Sequence, residues 1–167
     1  MDPAGFEALR ARLRACDRDL LRALAARARG PRDPRPVWPG DDRRRPPPPL
    51  AEILCTLAPA GNSADAEAGN RGLLAALAAR GKLACEMADA KAGLHPEDFH
   101  AALAVGDREQ LARLLTDLAG ELQALDFIRA AAPQAAPDLP PDLAPYLWRE
   151  CILPWARQTE LAHLAAP

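Results

Sequence analysis

Apolar residues recurring at steps of three and four constrain this chain more than any other feature. Phe6, Leu9, Leu13, Cys16, Leu20 and Leu24 follow that spacing, which predicts one amphipathic helix over residues 5–29. Gly30 and Pro31 end it, because glycine accepts a left-handed cap and proline cannot continue the hydrogen-bond ladder. The apolar 49% of the 167 residues is nearly all Ala and Leu, and only 4% of residues are aromatic. That mixture favours helix and offers little that packs on a pleated sheet, so the fold class is read as all-α. A chain of this size and apolar content can bury a core without disulfides or metals, and one compact domain is the default.

Prolines divide the chain. Residues 1–30 form an N-terminal helical segment, and 31–49 hold eight prolines with Arg43, Arg44 and Arg45, which predicts an extended Pro/Arg-rich linker. Residues 50–167 then read as a helical core of long helices joined by Pro-rich linkers. Within it the spacing predicts a short helix over 50–58, a long one ending at Gly93, and further helices over 97–104 and 107–131, with Asp107 as N-cap. Residues 132–141 form a second Pro-rich stretch, and a last helix over 142–165 should bend at Pro154.

Charge and cysteine usage exclude several functions. A net charge of -2 offers no global attraction to nucleic acid or anionic lipid, so an anion site has to be local. The first residues lack a basic stretch followed by an apolar one, and no run of 18 apolar residues occurs, so a cytoplasmic chain without membrane contact is expected. Cys16, Cys55, Cys85 and Cys151 lie at least 30 residues apart, which fits neither a zinc nor a redox pair and leaves reduced thiols as the expectation. His95 and His100, separated by a proline, do not share a helix face. No metal and no cofactor are expected.

One octapeptide repeats. Leu20-Leu21-Arg22-Ala23-Leu24-Ala25-Ala26-Arg27 returns 53 residues later as Leu73-Leu74-Ala75-Ala76-Leu77-Ala78-Ala79-Arg80, identical at seven of eight positions. Beyond the second copy, Arg80 and Lys91 are 11 residues apart, three turns plus about 20°, so both cations point the same way about 16 Å apart. Cys85, Ala84 and Ala88 between them are small and leave room for a ligand, while Glu86 and Asp89 are the acids an ordinary solvated face would interleave.

These segments resemble the all-helical chorismate mutase family. The stretch from Leu9 to Arg27 is similar to the family's opening helix, with an early Arg10, the Asp17-Arg18-Asp19-Leu20-Leu21 step and a closing Arg27. The segment from Leu73 to Lys91 looks like the rest of that helix, Asp107-Arg108-Glu109 like the start of the second, and Ile152 to Leu161, with Glu160 eight residues after Ile152, like the third. The first copy runs into prolines where the family continues to a Lys, the second copy lacks the early Arg, and Val105 stands where many members carry an acid. The resemblance therefore implies a duplicated or split first helix and a composite site, to which the N-terminal helix of the same or a partner chain lends Arg10, or Arg27 in its stead.

What the resemblance implies for function is an isomerase of the shikimate pathway feeding aromatic amino-acid biosynthesis, possessing a helical bundle, often a homodimer, that rearranges the dianion chorismate to prephenate. Arg80 and Arg10 would grip carboxylates, Lys91 a carboxylate and the ether oxygen, and Arg108 the ring carboxylate. Glu109 would accept from the substrate hydroxyl, and Glu160, if protonated, would donate to the ether oxygen. Two rivals stand beside it. An isochorismate-pyruvate lyase on the same fold would use nearly the same cations. A non-catalytic helical interaction module would instead work through the Arg43–Pro49 run, 43–49, which also serves as a stiff spacer.

Overall fold

The computed structural model describes residues 3–30 and 63–166. The linker expected over 31–49, the helix expected over 50–58 and Cys55 lie outside the described residues. Seven α-helices and one π turn account for most of the described chain, and no strand occurs among those residues, so the fold is all-α. They are α1 (Pro3–Arg29), α2 (Ser63–Leu94), α3 (Pro96–Val105), α4 (Arg108–Leu115), α5 (Leu118–Ala135), α6 (Leu143–Leu147), the π turn Trp148–Ile152 and α7 (Leu153–Leu164). Among the described residues no helix is long and apolar enough to cross a membrane.

The two long helices form an antiparallel pair. Cross-links run from Arg27–Asn70 through Asp17–Arg80 to Arg12–Glu86, falling in α1 as they rise in α2. This register lays the two copies of the octapeptide against one another. Leu20, Leu21 and Leu24 of α1 and Leu73 and Leu77 of α2 are buried in one core with Ile128 of α5 and Trp148 of the π turn. The repeat extends to the polar pairs: Asp17 and Asn70 hold equivalent positions, as do Arg80 and Arg27, and each arginine Nε donates to its neighbour across the pair. The duplicated sequence is thus a helical hairpin with approximate two-fold symmetry, differing at one end by a carboxylate in place of an amide.

Two smaller clusters pack against the second half of α2. Leu9 joins Leu83, Met87 and Ala90, tying the start of α1 to the second half of α2. Phe99, Ala102, Leu111 and Leu115 gather around Ala88, so the face of α2 at Ala84 and Ala88 is packed into core rather than left open for a ligand. Gly106, at φ 68°, takes the left-handed cap of α3, where a side chain would be strained.

Several boundaries differ from the sequence reading, each for a physical reason. The helix expected over 107–131 is two helices, separated by an extended Thr116 and a non-helical Asp117. Asp107 caps the first by accepting from the Gln110 N–H at 2.9 Å, and Asp117 caps the second through the Gly120 N–H at 2.9 Å. α2 continues one residue past Gly93. α5 runs through Pro133 to Ala135; that proline and Arg129, whose carbonyl it frees, are both exposed, so the lost hydrogen bond falls on the solvent side of the helix. The last helix, expected over 142–165, runs without a gap from Leu143 to Leu164 as α6, the π turn and α7, and its wider π turn lies immediately before α7, which has Pro154 in its first turn.

Candidate functional site

A cavity lies where α1, α2, the start of α5 and α7 meet. Its lining combines apolar Leu13, Met87, Ala124, Leu153 and Ala156 with charged side chains, of which Asp17, Arg80 and Glu160 are buried. Arg10, Arg14 and Asp17 reach it from α1 at steps of four and three, one helix face. Arg80 and Lys91 reach it from α2, as their shared direction predicts. Asp117 and Glu121 come from the start of α5, and Arg157 and Glu160, three residues apart, from α7. Trp155 of α7 packs close to α2 at Gly81, where an added Cβ would lie 3.2 Å from its ring, and this contact holds α7 near enough for Glu160 to meet Lys91.

Most of these charges answer one another. Arg80 Nε donates to Asp17 Oδ1 at 2.9 Å, and both side chains are almost wholly buried. Lys91 Nζ donates to Glu160 Oε2 at 2.8 Å and to the Leu115 carbonyl at the end of α4 at 2.5 Å. An ammonium has three N–H donors, so one remains for a ligand. Arg10 lies over the Phe6 ring, 4.9 Å from its centroid, and donates to Asp117 Oδ2 at 2.9 Å. Arg14 reaches back to Glu7 at 3.2 Å. Arg157 Nε stands 3.3 Å from Glu121 without the geometry of a hydrogen bond.

Burial and partners set the acids apart. Burial is the largest influence on Glu160 and raises its pKa, against the opposing pull of Lys91 and Arg80. For Asp117 burial is again the largest single influence and acts upward. The Gly120 N–H, the Arg10 hydrogen bond and the charges of Arg10 and Lys91 together outweigh it and hold this carboxyl below its ordinary value. Five cations and four carboxylates line the cavity, an excess of one positive charge; a proton on Glu160 raises the excess to two, the charge that a dianion neutralises.

The free space is about 100 Å³, below the roughly 300–1,000 Å³ of typical ligand pockets. The internal carboxylates occupy room and cations that a dicarboxylate would use, so a ligand of that kind would fit only if some of these ion pairs parted. Arg14 and Arg157 are suited to move, their side chains being 43% and 42% exposed.

Of the residues singled out in the sequence, Arg10, Arg80, Lys91 and Glu160 come together here, with Arg10 supplied by the same chain. Arg27, the alternative donor, does not. It is buried at the opposite end of the α1–α2 pair, donating to Asn70 at 2.6 Å. Arg108 and Glu109 do not either, because the break at Thr116–Asp117, 116–117, separates α4 from α5 and leaves both exposed on α4, where Glu109 pairs with Arg113. Val105 is exposed as well, and Glu86 and Asp89 pair outward with Arg12 and His163.

Arg14, Asp17, Asp117, Glu121 and Arg157 were missed in the sequence reading. Helical spacing from Arg10 and from Glu160 pointed to Arg14, Asp17 and Arg157; for Asp117 and Glu121 the signal was the N-cap, hidden by an unbroken helical period. Cys16 and Cys85 are half-buried and Cys151 buried, all free, and burial raises each thiol's pKa, which keeps them protonated. Comparison with protein-family models, with curated proteins and with solved structures found no match.

Proposed function

We propose that this chain is a chorismate mutase, built on a bundle of the type that family uses, and that it converts chorismate to prephenate in the cavity between α1, α2, α5 and α7. The observation that carries the reading is the meeting of Arg10, Arg80, Lys91 and Glu160, from three separate helices, around one partly apolar cavity. The rearrangement is unimolecular. It needs no nucleophile, only a site that selects the folded conformer and stabilises the charge developing on the ether oxygen as its bond to carbon lengthens.

In this reading Arg80 and Arg10 take the substrate carboxylates with the guanidinium donors left over from Asp17 and Asp117. The spare donor of Lys91 meets the ether oxygen, its position fixed by the Leu115 carbonyl. Protonated Glu160 is the second donor to that oxygen, and its raised pKa supports the role. Glu121, inside the cavity where Glu109 is not, accepts from the substrate hydroxyl. Because Arg10 belongs to the same chain, the site needs no partner subunit.

The test is direct: purified protein incubated separately with chorismate and with isochorismate, the products identified by chromatography. Prephenate from chorismate is the expected result. Pyruvate and salicylate from isochorismate would replace the mutase with the lyase, and no product from either would reject both.

A further inference from the structure

Five cations line the cavity, and four of them donate a hydrogen bond to a carboxylate: Arg10, Arg14, Arg80 and Lys91. Arg157 is the exception. It makes no hydrogen bond among the described residues, and its Nε is enclosed with no acceptor although Glu121 Oε1 stands 3.3 Å away. Glu121 balances the charge but does not take the N–H, and an enclosed donor without a hydrogen-bond acceptor is costly, so this group in a cavity points to an acceptor that arrives with the ligand.

We propose that Arg157 is the residue that receives a ligand carboxylate on the α5–α7 side of the cavity, the role the sequence resemblance gives to Arg108. This rests on the reading of the cavity as a chorismate site. The geometry favours the exchange. Arg157 sits one turn before Glu160 on α7 and beside the apolar Leu153 and Ala156, so a carboxylate held by its fork leaves the rest of a ligand against these apolar side chains and within reach of Lys91. The side chain is 42% exposed, which lets it swing out to admit a ligand and fold back over it. Arg108, exposed on α4, has no comparable access.

The test uses the full chain. KM and kcat for chorismate are measured for wild type, R157A, R157K and R108A, with folding checked by circular dichroism, and adipate is titrated calorimetrically into the same proteins. R157A should raise KM about 10- to 100-fold, the loss expected for a charge-assisted carboxylate pair, with a smaller change in kcat. R157K should recover part of it, since the ammonium keeps the charge without the two-pronged geometry. R108A should leave both constants at the wild-type value. An unchanged KM in R157A, or an equal rise in R108A, overturns the assignment. If wild type does not turn over chorismate, the mutase reading fails by itself and adipate decides the role of Arg157: binding lost in R157A supports it, whereas equal binding in R157A, or none by wild type, overturns it.

Discussion

Replacing Asp17 by Asn removes one charge from the most buried ion pair of the cavity while keeping the oxygen that accepts from Arg80. Asp17 is 2% and Arg80 5% exposed, and the Nε–Oδ1 distance is 2.9 Å. Breaking a buried pair by deleting one partner costs about 3–5 kcal/mol, chiefly because the other charge is left buried and uncompensated. An amide retains the hydrogen bond, as Asn70 does for Arg27 at the pseudo-symmetric position, so the low end of about 3 kcal/mol applies. In a domain of this size each kcal/mol lowers Tm by about 2–4 °C, which makes the expected fall about 6–12 °C. The same substitution leaves the Arg80 charge without its countercharge, which strengthens its attraction for a ligand carboxylate. A ligand at 100 times its Kd adds about 2.7 kcal/mol, and tighter binding to D17N adds more. Scanning calorimetry of wild type and D17N, each with and without excess chorismate, should therefore show a large gap in Tm that narrows with ligand. A gap that stays the same would mean that Arg80 serves the fold and not the ligand; no fall in Tm would refute the electrostatic argument.

Two further outcomes follow from Lys91 and Glu160. K91A should lose about 100- to 1,000-fold in kcat with its circular dichroism spectrum unchanged, because Ala is the better helix former and the loss is electrostatic; near-normal turnover would move the chemistry elsewhere. For Glu160, burial raises the folded pKa above the ordinary glutamate value, so the protonated donor present at low pH is lost as pH rises through that raised value. Activity should fall along the same limb, and so should the stability that protonation contributes, which is complete below the ordinary value. E160Q carries a permanent N–H donor, so its activity profile should be flat there, and superimposable profiles for the two proteins would remove Glu160 from the chemistry.

The all-α class and some helix ends followed from the sequence alone, because spacing, caps and breakers act over a few residues. The three- and four-residue steps marked α1, and the Asp107 cap was legible from its place before Arg108. The octapeptide repeat announced two equivalent helices, and Arg80 and Lys91 announced a shared direction. Which charges meet was decided only by tertiary packing. Arg10 and Arg27 sit on the same helix, yet the antiparallel register of α1 on α2 carries Arg10 to the cavity and locks Arg27 against Asn70. Nothing in the local period marked the break at Asp117, whose carboxylate is held at once by the Gly120 N–H of its own helix and by Arg10 of α1. That break turns Arg108 and Glu109 to solvent and brings Glu121 inward. Hydrogen bonds between residues 107 apart, such as the one from Arg10 to Asp117, depend on how helices stack, and a helical period constrains only the face each residue occupies on its own helix.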